Sequence, residues 1–243
     1  MKYFVPNLKL SVDLPPQEKL EDKFGGIPWG LKPEQYPMCR HCGKSQSLLA
    51  QFVHNSERLD LGKSGRTLLV FQCNHNPGGC PTWEGGSGAN ACFVLDPDQL
   101  SENLTPMPAD FPIIEPEARI IGWLDHDDGI APDEISAFYD DEQLWDLQDE
   151  MRDRVYPQTK LGSVPEWLQS PSEAPGEGWV FIGQLSDSYK FIQEPSPQSN
   201  VYVYPSSDYW ACEGPNFGDG GIGYIFLRHH SEKPDGWFFW QCS

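Results

Sequence analysis

The run Cys39-Arg40-His41-Cys42-Gly43, answered later by Leu69-Val70-Phe71-Gln72-Cys73-Asn74-His75-Asn76-Pro77-Gly78-Gly79-Cys80, decides how this chain is read. Two cysteine pairs carried on turns offer soft donors to the four corners of one tetrahedral ion, most commonly zinc. Gly43 follows the first pair and Pro77-Gly78-Gly79 lies inside the second, so the backbone can bend all four sulfurs toward one point. Cys39, Cys42, Cys73 and Cys80 are therefore the expected ligands of a structural Zn2+. The second pair is more widely spaced than zinc ribbons usually are, and the competing reading is a set of small buried apolar thiols. His41, His54 and His75 are possible substitutes for one sulfur, His75 the best placed of them, and Cys92 is a further candidate. A redox C-x-x-C is disfavoured, because no strand pattern precedes Cys39 and no helix pattern follows it.

Outward from this knuckle the chain reads as short strands and turns. Proline and glycine number 23 each and aromatic residues make up 13%, a mix that suits β-structure joined by tight turns. Ser47-Leu48-Leu49-Ala50-Gln51-Phe52-Val53 and the run 67–72 are buried-strand patterns, as are 91–95 and 119–124. Residues 1–22, dotted with proline and charge, are expected to form an arm on the surface or an edge strand. Ile113-Ile114 is a further strand candidate, and 132–154 is the one helical stretch, whose imperfect apolar stripe fits one helix or two short ones. Pro132, Asp133 and Glu134 suit its start, and Arg152 and Arg154 suit its end.

Beyond Pro157 the pattern begins again. Lys160-Leu161-Gly162-Ser163-Val164-Pro165 echoes Lys23-Phe24-Gly25-Gly26-Ile27-Pro28, and Val180-Phe181-Ile182-Gly183-Gln184-Leu185 echoes Leu48-Leu49-Ala50-Gln51-Phe52-Val53. Strand-like runs at 223–227 and 237–242 complete the second copy. The expected fold is α+β and β-rich: an internally duplicated pair of antiparallel-sheet repeats, one acidic helical segment, and a zinc knuckle in the first repeat. Its parts are an arm (1–22), a first repeat (23–125), an acidic helical connector (126–157) and a second repeat (158–243), packed as one unit.

The two Lys-Gly-Pro turns, the Gln-bearing strand, the loop Phe217-Gly218-Asp219-Gly220-Gly221 and the closing Phe239-Trp240-Gln241-Cys242 together resemble the YwqG-like bacterial domain of unknown function. That family is related to the domain of the eukaryotic programmed cell death protein 2, a chaperone for a basic ribosomal protein, and its members are linked to toxin and immunity gene neighbourhoods. The resemblance covers most of the chain. It implies a duplicated β-rich fold and a protein-binding role, and it brings no catalytic residues. Many members lack this cysteine quartet, so the metal rests on spacing alone.

With 36 acidic against 17 basic residues the formal charge is −19, which argues against a phosphate backbone as direct partner. A basic protein suits such a surface; the plainer reading is that acidity serves solubility. Asp127, Asp128, Asp140, Asp141 and Glu142 are the expected partner-binding carboxylates, with Trp145 as an anchor if exposed. The opening Met1-Lys2-Tyr3-Phe4-Val5-Pro6 has no apolar h-region and no run is long enough to span a membrane, so a soluble cytoplasmic protein is expected.

Catalytic motifs fail on context. Gly218-Asp219-Gly220-Gly221-Ile222-Gly223 spells a dinucleotide fingerprint but runs into a strand pattern rather than a helix. Gly62-Lys63-Ser64 lacks the leading glycine of a phosphate loop, Asp125 to Gly129 lacks the spacing of a calcium loop, and Gly86-Ser87-Gly88 misses the nucleophile elbow. No catalytic residue is assigned. The rival class is a hydrolase or small-molecule binder with its pocket between the repeats, near the loops 83–90 and 217–223.

Overall fold

The computed structural model describes every residue except 111–115, 148, 198–200 and 230–231. The first half supplies β1 (Lys2–Leu10), β2 (Lys23–Phe24), β3 (Ser47–Val53), β4 (Thr67–Gln72), β5 (Asn90–Leu95) and β6 (Ala118–Asp127). Two short helices follow, α1 (Asp141–Asp146) and α2 (Asp149–Arg152). The second half adds β7 (Lys160–Gly162), β8 (Val180–Ser186), β9 (Ser188–Phe191), β10 (Tyr204–Pro205), β11 (Trp210–Glu213), β12 (Ile222–Arg228) and β13 (Asp235–Gln241). Ten strands form one antiparallel sheet in the order β13-β12-β8-β7-β1-β6-β2-β3-β4-β5, nearly closed into a barrel, and β10-β11-β9 form a small second sheet.

The strands read as continuous apolar runs because both faces are covered. Along β4, Leu68 and Val70 point into the main core while Leu69 and Phe71 point into a separate cluster with Leu31, Tyr36, Leu48 and Leu95. Along β12, Ile225 and Leu227 join the main core, and Ile222, Tyr224 and Phe226 join an outer cluster with Phe181 and Phe239. The main core therefore fills the inside of the curled sheet, and loops from each half pack its outside. The two sheet ends meet at Gly236 of β13, where an added Cβ would stand 2.6 Å from Cys92 Sγ and 2.8 Å from the Cys92 carbonyl oxygen. Only glycine permits that approach. Arg66 pins the same seam, donating to Asp96 at 2.8 Å and to the Glu232 carbonyl.

Residues 2–10 are not a surface arm. β1 pairs with β6 over its whole length and with β7 at Tyr3 and Phe4, which puts it in the middle of the sheet. Its proline is accommodated because the β7 pairing stops before Pro6, so beyond Phe4 one side of β1 needs no ladder donor. The helical stretch expected over 132–154 forms two short helices rather than one. A 3-10 turn (Ile135–Tyr139) stops at Asp140, which is extended (φ −114°, ψ 123°) and caps α1 by accepting the Gln143 amide at 2.9 Å. The aspartates compete with the helical backbone here and start a second helix rather than continuing the first. Ile113-Ile114 lies outside the described residues.

On each flank of the β1–β6 pair a buried lysine opens a short strand. Lys23 faces Gln51 across β2–β3 and Lys160 faces Gln184 across β7–β8. Gln51 Oε1 accepts the Trp29 amide at 2.8 Å and Gln184 Oε1 accepts the Glu166 amide at 3.0 Å, at the same offset beyond each lysine.

Candidate metal centre

The first cysteine pair sits on a knuckle closed by local backbone bonds. The Cys39 amide donates to the Lys44 carbonyl at 2.8 Å, the Gly43 amide donates to the Cys39 carbonyl at 2.9 Å, and Gly43 takes the left-handed φ of 70° that the turn demands. The second pair hangs from the end of β4. The Cys73 amide donates to the Ala89 carbonyl at 2.8 Å, and the Asn76 carbonyl accepts the amides of Gly79 (3.1 Å) and Cys80 (3.0 Å), with Gly78 at φ 76°. The loop before β5 ties the knuckles together, since the Gly88 carbonyl accepts both the Arg40 amide at 3.0 Å and Gln46 Nε2 at 3.1 Å.

The result is a cluster of Cys39, Cys42, Cys73 and Cys80 whose sulfurs all lie within 4.8 Å of one another. Cys42 Sγ and Cys73 Sγ are 3.5 Å apart, well beyond a disulfide bond, and all seven cysteines are free. An ion bound by thiolates at ~2.3 Å would hold its sulfurs roughly 3.8 Å apart in a regular tetrahedron, so this quartet is gathered closely enough to hold a metal ion. Cys39, Cys73 and Cys80 are buried and Cys42 is half-buried. His75 is exposed and does not join the cluster, and Cys92 lies at the sheet seam against Gly236.

The electrostatics also favour a cation. Burial pushes the Cys73 and Cys80 thiols up, Cys80 to about 11, with the neighbouring Cys39 and Cys42 sulfurs adding to it. At Cys39 burial acts the same way but is outweighed by the amides of Cys42 and His41 and by the Cys73 and Cys80 thiols, so this sulfur sits below its ordinary range. The amides thus make Cys39 easier to deprotonate, while burial makes Cys73 and Cys80 harder. A divalent ion would displace the thiol protons and turn mutual repulsion into shared coordination.

The expected partner-binding residues divide into two groups. Asp128 is withdrawn from any docking face: its side chain is 0% exposed, and it accepts from the Met1 amino group, the Ile130 amide and Ser163 Oγ. Asp127 is exposed beside it, its carboxyl held below the usual range by the Gly129 amide first and by the Met1 amino group. Asp140, Asp141, Glu142 and Trp145 gather on α1, where Trp145 is 63% exposed with the Arg152 guanidinium 5.5 Å from its ring centre. Asp140 also serves as the helix cap, and Asp141 accepts from Ser170 Oγ at 2.8 Å. Leu144 anchors this helix from below in a cluster with Phe138, Val155 and Val164.

The loops 83–90 and 217–223 meet at a cavity of about 150 Å3, whose lining includes Trp83 from one and Gly218 from the other. Residues 218–223 run into β12, a strand, so no helix N-terminus stands there to receive a pyrophosphate. A second cavity, of about 370 Å3, shares Trp83 with the first and is lined also by Glu173 and Trp237, which the sequence reading did not single out. The sequence signal for them was only a scatter of exposed aromatics near carboxylates.

The sequence matches no protein-family model and no curated protein.

Proposed function

We propose that this chain is an acidic, zinc-stabilised protein of the cytoplasm that binds a basic protein partner and sequesters or neutralises it, as an immunity protein or a chaperone does. The observation that carries this reading is the formal charge of −19, joined to a site whose donor set suits structure rather than turnover. Zinc is favoured because the donors are thiolates alone, and a closed four-sulfur shell leaves no position for substrate. Among the described residues no helix is long and apolar enough to cross a membrane.

The resemblance to the YwqG-like domain belongs to the same proposal, as does the origin of the fold by duplication. Support for duplication comes from the sheet order, which places β2-β3-β4-β5 and β7-β8-β12-β13 on opposite sides of β1–β6. The matched Lys–Gln pairs and their equivalent glutamine-to-amide bonds add to it. The alternative, a hydrolase or small-molecule binder, is favoured by the cavity between the halves. Its lining carries no histidine to serve as a base, and the cysteine it includes, Cys73, belongs to the metal cluster.

Two measurements on the purified full chain test the proposal: metal content, and retention of a defined basic protein at low and high salt. One zinc per chain, and retention that fades as added salt shortens the Debye length below ~10 Å, are the expected results. Absence of metal, or indifference of retention to salt, would remove the reading.

A further inference from the structure

The ring of Trp83, 44% exposed, divides a cleft beside the metal knuckle. It meets Trp240 edge to face, with centroids 6.2 Å apart. On one side lies the cavity of about 150 Å3, at whose wall Gln72 is 1% exposed. Gln72 Nε2 donates to Asn74 Oδ1 at 3.1 Å and to the Asn216 carbonyl at 3.0 Å, while its Oε1 has no hydrogen-bond partner among the described residues. Gln72 thus carries a buried acceptor without a partner among the described residues, next to a cavity wall. On the other side lies a cavity of about 370 Å3 between the indoles of Trp83 and Trp237, with Phe239 at its base and the exposed carboxylates of Glu84 and Glu173 at its rim.

Neither chamber's lining contains a lysine or arginine, and the larger one carries two carboxylates beside its indoles. Anions are thereby disfavoured, and a flat cation that stacks on indole while donating to carboxylates is favoured. The chain makes the same contact close by: the Arg228 guanidinium lies 4.7 Å from the ring centre of Trp179, which itself packs against Trp237 at 5.6 Å. Trp237 is held in place because its indole rests on Gly85, where a Cβ would approach Nε1 to 2.3 Å.

We infer that this cleft is the docking site for an extended basic segment of a partner protein, with an arginine seated between Trp83, Trp237, Glu84 and Glu173. A second basic side chain of the same segment enters the smaller chamber beside Trp83. Two chambers sharing one tryptophan suit two side chains of one strand, and a net charge of −19 draws such a segment in. The inference rests on the basic-partner reading and names its place on the molecule.

The test uses the zinc-loaded full chain and two acetylated peptides, Gly-Arg-Gly-Arg-Gly amide and the same sequence with citrulline for arginine. Binding is followed by the indole N–H resonances and by tryptophan fluorescence at low and high salt. The arginine peptide is expected to bind in a salt-sensitive way and to shift the Trp83 and Trp237 resonances, and the citrulline peptide to leave them in place. Trp83→Ala, and separately the surface pair E84Q/E173Q, should each weaken binding about tenfold, with metal content and thermal melting confirming that each variant is folded. If the peptide binds but both variants bind as the wild type does, and D140N/D141N/E142Q loses binding instead, the cleft is overturned and the basic-partner reading stands. If no salt-sensitive binding occurs at all, both are overturned. Equal binding of spermidine at the same resonances, without binding of the peptide, would overturn the protein segment as occupant.

Discussion

Replacing Lys160 by methionine should make the protein more stable. The Lys160 side chain is 1% exposed, its Nζ has no hydrogen-bond partner among the described residues, and its nearest compensation is the Tyr3 ring, 5.8 Å away. Burial pushes its pKa down to about 8, although Glu166 and Asp128 pull the other way. The gap from lysine's ordinary value of ~10.4 makes the cost of keeping this ammonium charged on the order of 3 kcal/mol at neutral pH. Lys23, its counterpart on β2, is different: its Nζ donates to Gln17 Oε1 at 2.9 Å and to the Ile27 carbonyl, with Glu117 at 3.4 Å. Because the folded pKa of Lys160 lies below the unfolded one, the unfolded chain binds more protons between the two values, and wild-type stability rises with pH across that window. Lys160→Met should therefore gain about 1–3 kcal/mol below pH 8, and the gain should shrink to nothing above the unfolded pKa. Urea unfolding of both proteins through this range reads the difference. Lys23→Met should instead lose about 1–3 kcal/mol, because it strands buried acceptors. A Lys160→Met protein that is less stable at every pH, with no pH-dependent difference, would refute the reasoning.

Removing the metal with a chelator, or changing Cys73 to serine, should lower the melting temperature, and acidification should release the ion. The sign follows from the raised Cys73 and Cys80 thiols: protons compete with the metal increasingly as pH falls, so proton release on loading and metal loss on titration to acid are the two observables. Gly236→Val should open the seam between β5 and β13, costing about 1–3 kcal/mol by overpacking, measurable as faster amide exchange in those two strands. Asp140→Ala should cost about 1 kcal/mol through loss of the α1 cap, read by thermal unfolding, while leaving metal content unchanged.

The features legible in the sequence are those whose causes are local. The bounds of β3 and β4 match the apolar runs at 47–53 and 67–72, since a strand covered on both faces needs apolar residues at nearly every position. The cysteine cluster was legible for a related reason: each pair lies on a turn with its own glycine, so spacing alone constrains where the sulfurs go. β1 was hidden because its partners are far away in the chain. Nothing near Pro6 announces that Trp123 will face it, and a proline with scattered charge reads locally as an arm.

Distance along the chain also explains the misplacement of Asp128, and it bears on where a partner would bind. Read locally, Asp125 to Asp128 is an acidic run facing solvent; in the fold, Asp128 is claimed by Met1 and Ser163, which only the β1–β6 and β1–β7 pairings bring near. Carboxylates used this way stabilise the sheet and are lost as docking charge. Exposed carboxylates stand beside exposed indoles on α1 around Trp145 and at the Trp83 cleft, where Glu84 and Glu173 arrive from opposite halves, Glu173 also accepting Gln241 Nε2 at 3.0 Å. Of these two surfaces the cleft has walls that include two indoles, Trp83 and Trp237, whereas α1 offers one indole already stacked by Arg152. A partner chosen by charge alone would use either, but one chosen by shape as well has reason to use the cleft first.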